Sequence, residues 1–108
     1  MRPEQSLRKS IEFQAVQKTG RRLGNRFVTL RMVRNDHSVT RFGFTVGKYI
    51  GNAVTRNHVK RWFREITRRM SVAAGWDIVL VARRDTAKAN FHQVQKSVDH
   101  ILRQAGLI

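Results

Sequence analysis

The feature that most limits the fold is a stretch, residues 54–70, whose apolar side chains recur at helical spacing. At about 100° per residue, five of them fall on one side of a helix. They are Val59, Trp62, Phe63, Ile66 and Met70. Because a helix with one apolar face must bury that face against other elements, this stretch predicts a helix with one side in the core.

Two stretches before this helix alternate between apolar and polar side chains, which is typical of strands with one buried and one open face. They cover residues 26–34 and 40–48, and the turn-forming residues 35–38 separate them. We therefore predict that the two strands pair as a hairpin. The predicted open faces carry Phe27, Thr29, Arg31 and Val33 in the first strand, and Arg41, Gly43, Thr45 and Gly47 in the second.

The remaining segments predict two more helices and a third strand. Ser10 begins a short helix that ends at Gly20, and a basic loop, residues 21–25, follows. Residues 76–83 are mostly apolar and predict a more buried strand, and Asn90 and Gly106 bound a last amphipathic helix. The order α-β-β-α-β-α in 108 residues predicts an α+β sandwich, with helices on a small mixed sheet in a single domain, residues 1–108.

Positive charge is the clearest pointer to function. The chain has 22 Lys and Arg against 7 Asp and Glu, which gives a net charge of +15. A compact domain with this charge repels itself and needs a polyanionic partner, for which nucleic acid is the default. No membrane partner is expected, because no long apolar run is present. The lack of a secretory signal predicts a cytoplasmic location, and the lack of cysteine excludes disulfides and thiolate metal sites.

One side of the 54–70 helix carries cations without an acid among them. These residues, here the basic arc, are Arg56, Asn57, Lys60, Arg61, Arg64 and Arg68. Like charges one turn apart repel by a few tenths of a kcal/mol each, and Glu65 lies beyond the edge of the arc. The arc therefore predicts a bound polyanion, and backbone phosphates fit it best.

Residues 51–65 read Gly-Asn-Ala-Val-Thr-Arg-Asn-His-Val-Lys-Arg-Trp-Phe-Arg-Glu. This string resembles the signature of the bacterial ribonuclease P protein family: Gly-Asn-Ala-Val, one variable residue, Arg-Asn-Arg, one variable residue, Lys-Arg, two variable residues, Arg-Glu. The resemblance continues in residues 12–20, 42–46 and 77–83. It implies an α-β-β-β-α-β-α fold with a left-handed βαβ crossover, as in ribosomal protein S5 domain 2-like folds. A further strand is then expected near residues 47–51 or within residues 21–34.

The resemblance also implies a function, that of the protein subunit of ribonuclease P, whose RNA subunit cuts the 5′ leader from precursor tRNA. The implied partners are this RNA, in a 1:1 holoenzyme, and precursor tRNA; the RNA requires Mg²⁺, and the protein alone binds no cofactor. The basic arc would contact the RNA. The leader would lie between the first helix and the open sheet face, on Phe13, Phe27, Thr29, Arg31, Thr45 and Lys48. Phe13 is the best match for a base-stacking residue.

Two positions depart from the family's pattern. His58 stands where the family usually has arginine, which removes one cation and could make the RNA affinity depend on pH. Gln17 stands where many relatives carry a second aromatic residue, so leader stacking is expected to be weaker here.

No catalytic residue and no metal site is predicted in the protein itself. Its 7 acidic residues are scattered, without a pair at metal-ligand spacing. His37, His58, His92 and His100 fit surface positions better than an acid–base pair. Three alternatives stay open: a structural rRNA-binding protein of the ribosomal type, a DNA-binding regulator with its basic helix in the major groove, and a protein-only ribonuclease.

Overall fold

Three α-helices and four strands follow one another in the order α-β-β-β-α-β-α over the residues that the computed structural model describes, 6–7 and 10–108. The helices are α1 (Ser10–Thr19), α2 (Ala53–Arg68) and α3 (Phe91–Gln104), and the strands are β1 (Arg21–Gly24), β2 (Val28–Arg34), β3 (Arg41–Thr45) and β4 (Trp76–Ala82). Short 3₁₀ turns at Lys48–Ile50 and Arg84–Lys88 precede α2 and α3. The predicted α+β class is confirmed, as is the element order that the resemblance implied.

The strands form one mixed sheet in the order β1-β2-β4-β3. β2 pairs antiparallel with both β1 and β4, and β3 pairs parallel with β4. The predicted hairpin between residues 26–34 and 40–48 is wrong, because β4 lies between β2 and β3. The reason is the apolar character of β4, in which Ile78, Val79 and Leu80 are fully buried. A strand that is buried on both faces takes a central position in a sheet.

The further strand lies within residues 21–34, one of the two places expected for it. β1 occupies Arg21–Gly24, so the predicted basic loop at residues 21–25 is wrong. β1 and β2 form the hairpin through Asn25, whose Oδ1 accepts the backbone N–H groups of Phe27 and Val28 at 3.1 and 3.0 Å. Because most residues of β1 are exposed, its sequence lacks the apolar alternation that reveals a half-buried strand.

The two faces of the sheet are covered by different helices. α2, which connects the parallel strands β3 and β4, packs together with α3 on one face and forms the main core there. The left-handed sense of this βαβ crossover stays a prediction. α1 lies on the other face, over a smaller buried cluster of Leu7, Val16 and Val79. The side of the sheet that carries α1 is therefore only partly covered by helix.

The start of α3 is fixed by a reciprocal cap at Asn90, the residue predicted to begin it. The Asn90 side chain accepts the backbone N–H of Gln93 at 2.9 Å, and the Gln93 side chain accepts that of Asn90 at 3.0 Å.

Replacing Asn90 with alanine should lower the free energy of unfolding by about 1 kcal/mol, measured by urea denaturation. Asn90→Ser keeps an accepting oxygen and should lose much less. An unchanged midpoint in Asn90→Ala would show that α3 does not depend on the cap.

Candidate nucleic-acid interface

The loop before α2 determines where that helix begins. Gly51 has a φ of +154°, a backbone conformation that residues with a side chain rarely adopt. Asn52 follows as the N-cap, and its side chain accepts the backbone N–H of Thr55 at 2.9 Å. The Gly-Asn pair therefore fixes the first turn of α2, and with it the directions in which the later side chains point.

The predicted two-sided character of α2 is confirmed. Val59, Phe63 and Ile66 are buried, and Trp62 and Met70 are partly buried against the main core. In the basic arc, Asn57, Arg61, Arg64 and Arg68 are exposed, and Arg56 and Lys60 are half-buried. The arc is thus presented to the surface along the length of the helix.

Glu65 changes the charge pattern that the sequence predicted for the arc. Its carboxylate accepts hydrogen bonds from Arg68 at 2.8 Å and from Arg69 at 2.6 Å. The bonds from Arg68 are the main reason why the pKa of Glu65 is lowered. Glu65 lies beyond the edge of the arc and still engages Arg68, because it is three residues away and reaches it on the helix surface.

The other cations of the arc have no such partner among the residues that the structure describes. Within residues 6–7 and 10–108, no carboxylate forms an ion pair with Arg56, Lys60, Arg61 or Arg64. In the same part of the chain, the Nε atom of Arg56 is buried and has no hydrogen-bond acceptor. A buried donor is normally bonded, so Arg56 stands out among the polar groups of α2.

A narrow cleft at the β3 edge of the sheet connects α1 with α2. This edge cleft has a volume of about 150 Å³. Its lining includes Leu7, Phe13, Gly43, Phe44, Lys60 and Arg64. An aromatic ring from α1 and two cations of the basic arc therefore meet at one opening. The sequence placed Phe13 and the arc in separate sites, whereas the structure brings them together.

A second cleft, of about 490 Å³, opens on the α1 side of the sheet. The floor of this face cleft includes Thr29 and Val81, which are register partners on β2 and β4. Thr45 on β3 is the partner of Val81 on its other side, so the three residues form one row across the sheet. The rim includes Arg26, Tyr49, Arg83 and Arg84. Cations around a partly exposed aromatic ring suit phosphates and bases of a single strand.

Sequence reasoning missed the four rim residues of the face cleft. Tyr49 is 50% exposed, and its hydroxyl donates to the carbonyl oxygen of Ala82 at 2.6 Å. Arg26 pairs with Asp85 at 3.0 Å. Because β2 and β4 are antiparallel, residues just before β2 lie beside residues just after β4, such as Arg83. This cluster of rim residues can be predicted from the sequence only when the pairing of β2 with β4 is known.

Three further residues predicted to bind the leader lie in different settings. Arg31 is half-buried, and its guanidinium donates to the carbonyl oxygen of Gln17 near the end of α1, at 2.9 Å. Lys48 is exposed in the turn before α2. The predicted open-face position of Phe27 is wrong: its ring packs against the main core, with the Arg26 guanidinium 5.1 Å from the ring centre. Phe27 lies in a bend before β2, where strand alternation does not apply.

Comparison with known proteins decides the family. A family model described as Ribonuclease P matches residues 1–106. The chain belongs to the ribonuclease P protein family. The ribonuclease P protein component of Caldanaerobacter subterraneus subsp. tengcongensis is 37% identical over 103 residues, 94% of this chain and 89% of the relative. That of Geobacillus kaustophilus is 36% identical over 109 residues, 98% of this chain and 90% of the relative.

Solved structures of ribonuclease P proteins share the fold. A mutant of the Staphylococcus aureus protein, described as defective in mRNA degradation activity, superposes with a TM-score of 0.90 and 30% identity, over 97% of this chain and 91% of that one. The Thermotoga maritima protein gives a TM-score of 0.85 and 30% identity, over 92% and 96%. The chain is therefore the protein part of ribonuclease P, the endoribonuclease that forms the 5′ end of tRNA, and its RNA binding follows from the family.

The two departures from the ribonuclease P protein pattern lie in separate places. His58 is exposed at the side of α2, where its ring meets Trp62 edge-on, with 4.9 Å between ring centres. Gln17 is exposed on α1. Phe13 is therefore the one aromatic residue in the sequence of α1.

The described residues contain no evident metal site. Within residues 6–7 and 10–108, no group of three His, Asp or Glu side chains could hold a metal ion. Glu12 and Asp77 are both bound to Arg41, at 2.7 Å each. In that part of the chain, no helix is long and apolar enough to cross a membrane.

Proposed function

We propose that the basic arc holds the ribonuclease P RNA and that the edge and face clefts hold the 5′ leader of precursor tRNA. The observation that carries this proposal is the edge cleft, where Phe13 meets Lys60 and Arg64. Stacking on an aromatic ring together with phosphate contacts is what single-strand binding without sequence preference requires.

Contact between the arc and the RNA subunit is supported by the lack of carboxylate partners for most of the arc's cations in the described chain. Arg56, Lys60, Arg61 and Arg64 have no carboxylate partner in the described chain, and Arg56 has a buried Nε without an acceptor there. A phosphate backbone would neutralise these charges and release counterions, which strengthens binding. Arg68 should contribute less, because Glu65 already engages it.

A path for the leader is supported by the row Thr29–Val81–Thr45. This row crosses the sheet from the floor of the face cleft to β3, the strand at whose edge the edge cleft lies. A single strand that follows the row would pass the arginines of the face cleft first and reach Phe13 at the other end. Thr45 is half-buried along this path, Thr29 is 9% exposed at the floor of the face cleft, and Lys48 is exposed in the turn before α2.

The chemistry belongs to the RNA subunit in this proposal. We infer from the family that the RNA subunit binds the Mg²⁺ that the reaction needs. The arc would screen repulsion between phosphates and so lower the magnesium concentration required. One basic arc per chain supports a 1:1 holoenzyme, and a tRNA precursor as substrate supports a cytoplasmic location.

The test of this role is cleavage of a precursor tRNA at low magnesium by the cognate RNA subunit, with and without the protein. Strong rescue by the protein is expected, and the protein alone should leave the precursor intact. Cleavage by the protein alone would favour a protein-only ribonuclease. A folded protein that gives no rescue would contradict the proposal and favour a structural role on rRNA.

Leader binding by Phe13 has its own prediction. Phe13→Ala should reduce the preference of the holoenzyme for precursor over mature tRNA about tenfold, because stacking of one base contributes about 1–3 kcal/mol. The affinities are measured by titration of both tRNAs at fixed salt. Ile11→Ala is the matched control, since Ile11 lies on the same helix and is 70% exposed. Equal binding of precursor and mature tRNA by the unmodified holoenzyme would contradict leader binding.

A further inference from the structure

Glu12, the residue before Phe13, ties α1 to the sheet through Arg41. One terminal nitrogen of Arg41 donates to Glu12 Oε2 at 2.7 Å. Nε and the other terminal nitrogen donate to the two carboxylate oxygens of Asp77, at 2.8 and 2.7 Å. All three nitrogens of the guanidinium are engaged. Arg41, Asp77 and Glu12 together are called the Arg41 clamp.

The sheet end of the clamp is held by several hydrogen bonds. Arg41 and Asp77 are register partners on the parallel strands β3 and β4. Asn35 adds a fourth hydrogen bond, from its side-chain amide to Asp77 Oδ1 at 2.8 Å. The side chains of Arg41, Glu12 and Asp77 are only 18%, 21% and 10% exposed. Charge-assisted and bidentate bonds in such a setting hold one geometry, and the bond to Asp77 is the main reason why the pKa of Arg41 is raised.

The apolar attachment of α1 is small by comparison. Among the described side chains of α1, Val16 alone is fully buried. A helix of 10 residues is also too short to be stable by itself. The Phe13 ring rests on Gly43, where an added Cβ would lie 2.5 Å from two ring atoms, Cε1 and Cζ. The position of the ring therefore depends on how closely and at what angle α1 is held to the sheet.

We propose that the Arg41 clamp positions Phe13 for leader binding and that Glu12 is its arm to α1. The inference rests on the proposed leader role of Phe13. With α1 fixed by the clamp, the ring stays at the edge cleft beside Lys60 and Arg64, so that one nucleotide can stack while its phosphates meet the cations. Without the arm, leader binding must first order the ring, and this ordering weakens the binding.

The first experiment uses Glu12→Gln in the full chain, assembled with the RNA subunit. The preference for precursor over mature tRNA should fall about 3–10-fold, whereas the affinity for the RNA subunit should not change. Asp99→Asn is the control with the same change in net charge, because Asp99 lies on α3 in an exposed pair with Arg103 at 3.0 Å. An equal fall in both variants would mean that net charge, and not the clamp, sets the preference.

A double-mutant cycle separates positioning from a general structural effect. If Glu12 acts through the ring, Glu12→Gln should cause no further loss in a Phe13→Ala background. A full additional loss there would overturn the clamp. A loss from Phe13→Ala with none from Glu12→Gln would overturn the clamp and leave leader binding intact. No loss from Phe13→Ala would overturn both.

Gly43→Ala provides a second route to the same answer, also if Glu12→Gln does not fold. The added Cβ would lie 2.5 Å from the ring and 3.1 Å from Leu7 Cδ1, so it displaces the ring without replacing any of the three clamp residues. The same fall in precursor preference is expected, with unchanged affinity for the RNA subunit. A Gly43→Ala protein that keeps the full preference would show that the ring position does not matter, which contradicts the proposal.

Discussion

With Arg56, Lys60 and Arg64 replaced by alanine, the affinity of the chain for ribonuclease P RNA is expected to fall about 10³-fold. Each side chain should contribute about 1.5 kcal/mol as a charge-assisted contact to phosphate, and about 1.4 kcal/mol corresponds to a factor of ten. The three have no carboxylate partner in the described chain, so little is regained in the free protein. The dependence of log K on log salt should become shallower by about 2–3 units. Titrations at several salt concentrations measure both quantities.

The control removes the same amount of charge elsewhere. Arg21, Lys96 and Arg103 are exposed on β1 and α3, outside both clefts. Their triple replacement by alanine lowers the net charge equally and should weaken RNA binding less than tenfold. If both triple variants lost affinity to the same extent, the basic arc would contribute to RNA binding only through the net charge of the chain and not as a specific contact surface.

Phe63→Ala should lower the free energy of unfolding by about 3–5 kcal/mol, the range for a large buried aromatic residue. Phe63 is fully buried, and its ring stacks on Phe44 with 5.8 Å between centres. The loss is a large share of the roughly 5–15 kcal/mol that stabilises a domain. Urea denaturation followed by circular dichroism measures it.

Phe63→Leu is the matched variant, because it keeps most of the apolar volume and should cost less than about 1.5 kcal/mol. A small loss from Phe63→Ala would mean that α2 is held in place by other contacts. Added RNA subunit should raise the midpoint of each variant, since a ligand that binds only the folded state stabilises that state. RNA binding and folding can thus be separated by comparing denaturation with and without RNA.

The parts of the interface that could be predicted from sequence depend on local geometry. Helical spacing alone identified the buried side of α2, with Val59, Phe63 and Ile66 in the core. The caps at Asn52 and Asn90 act on residues three positions away, so they too follow from short stretches of sequence. The signature string lies within this same local region, so the family can be predicted from the sequence alone.

The parts that could not be predicted depend on contacts between distant residues. The expected hairpin failed because β4, far along the chain, takes the place between β2 and β3. The face cleft was missed for the same reason, since Arg26 and Arg83 meet only through that pairing. The predicted open-face position of Phe27 was wrong for a more local reason, because one bend before β2 turns its ring toward the main core.

β1 has a consequence for how the chain behaves at high concentration. In the described chain it ends the sheet and pairs only with β2, and an unpaired edge is a template on which a second molecule can add a strand. This edge is only four residues long and carries the exposed Arg21 and Arg22. Two such edges would bring four guanidinium groups together without a counter-charge. Repulsion therefore protects the free protein against edge-to-edge aggregation, and a variant that replaces Arg21 with alanine would lose part of that protection.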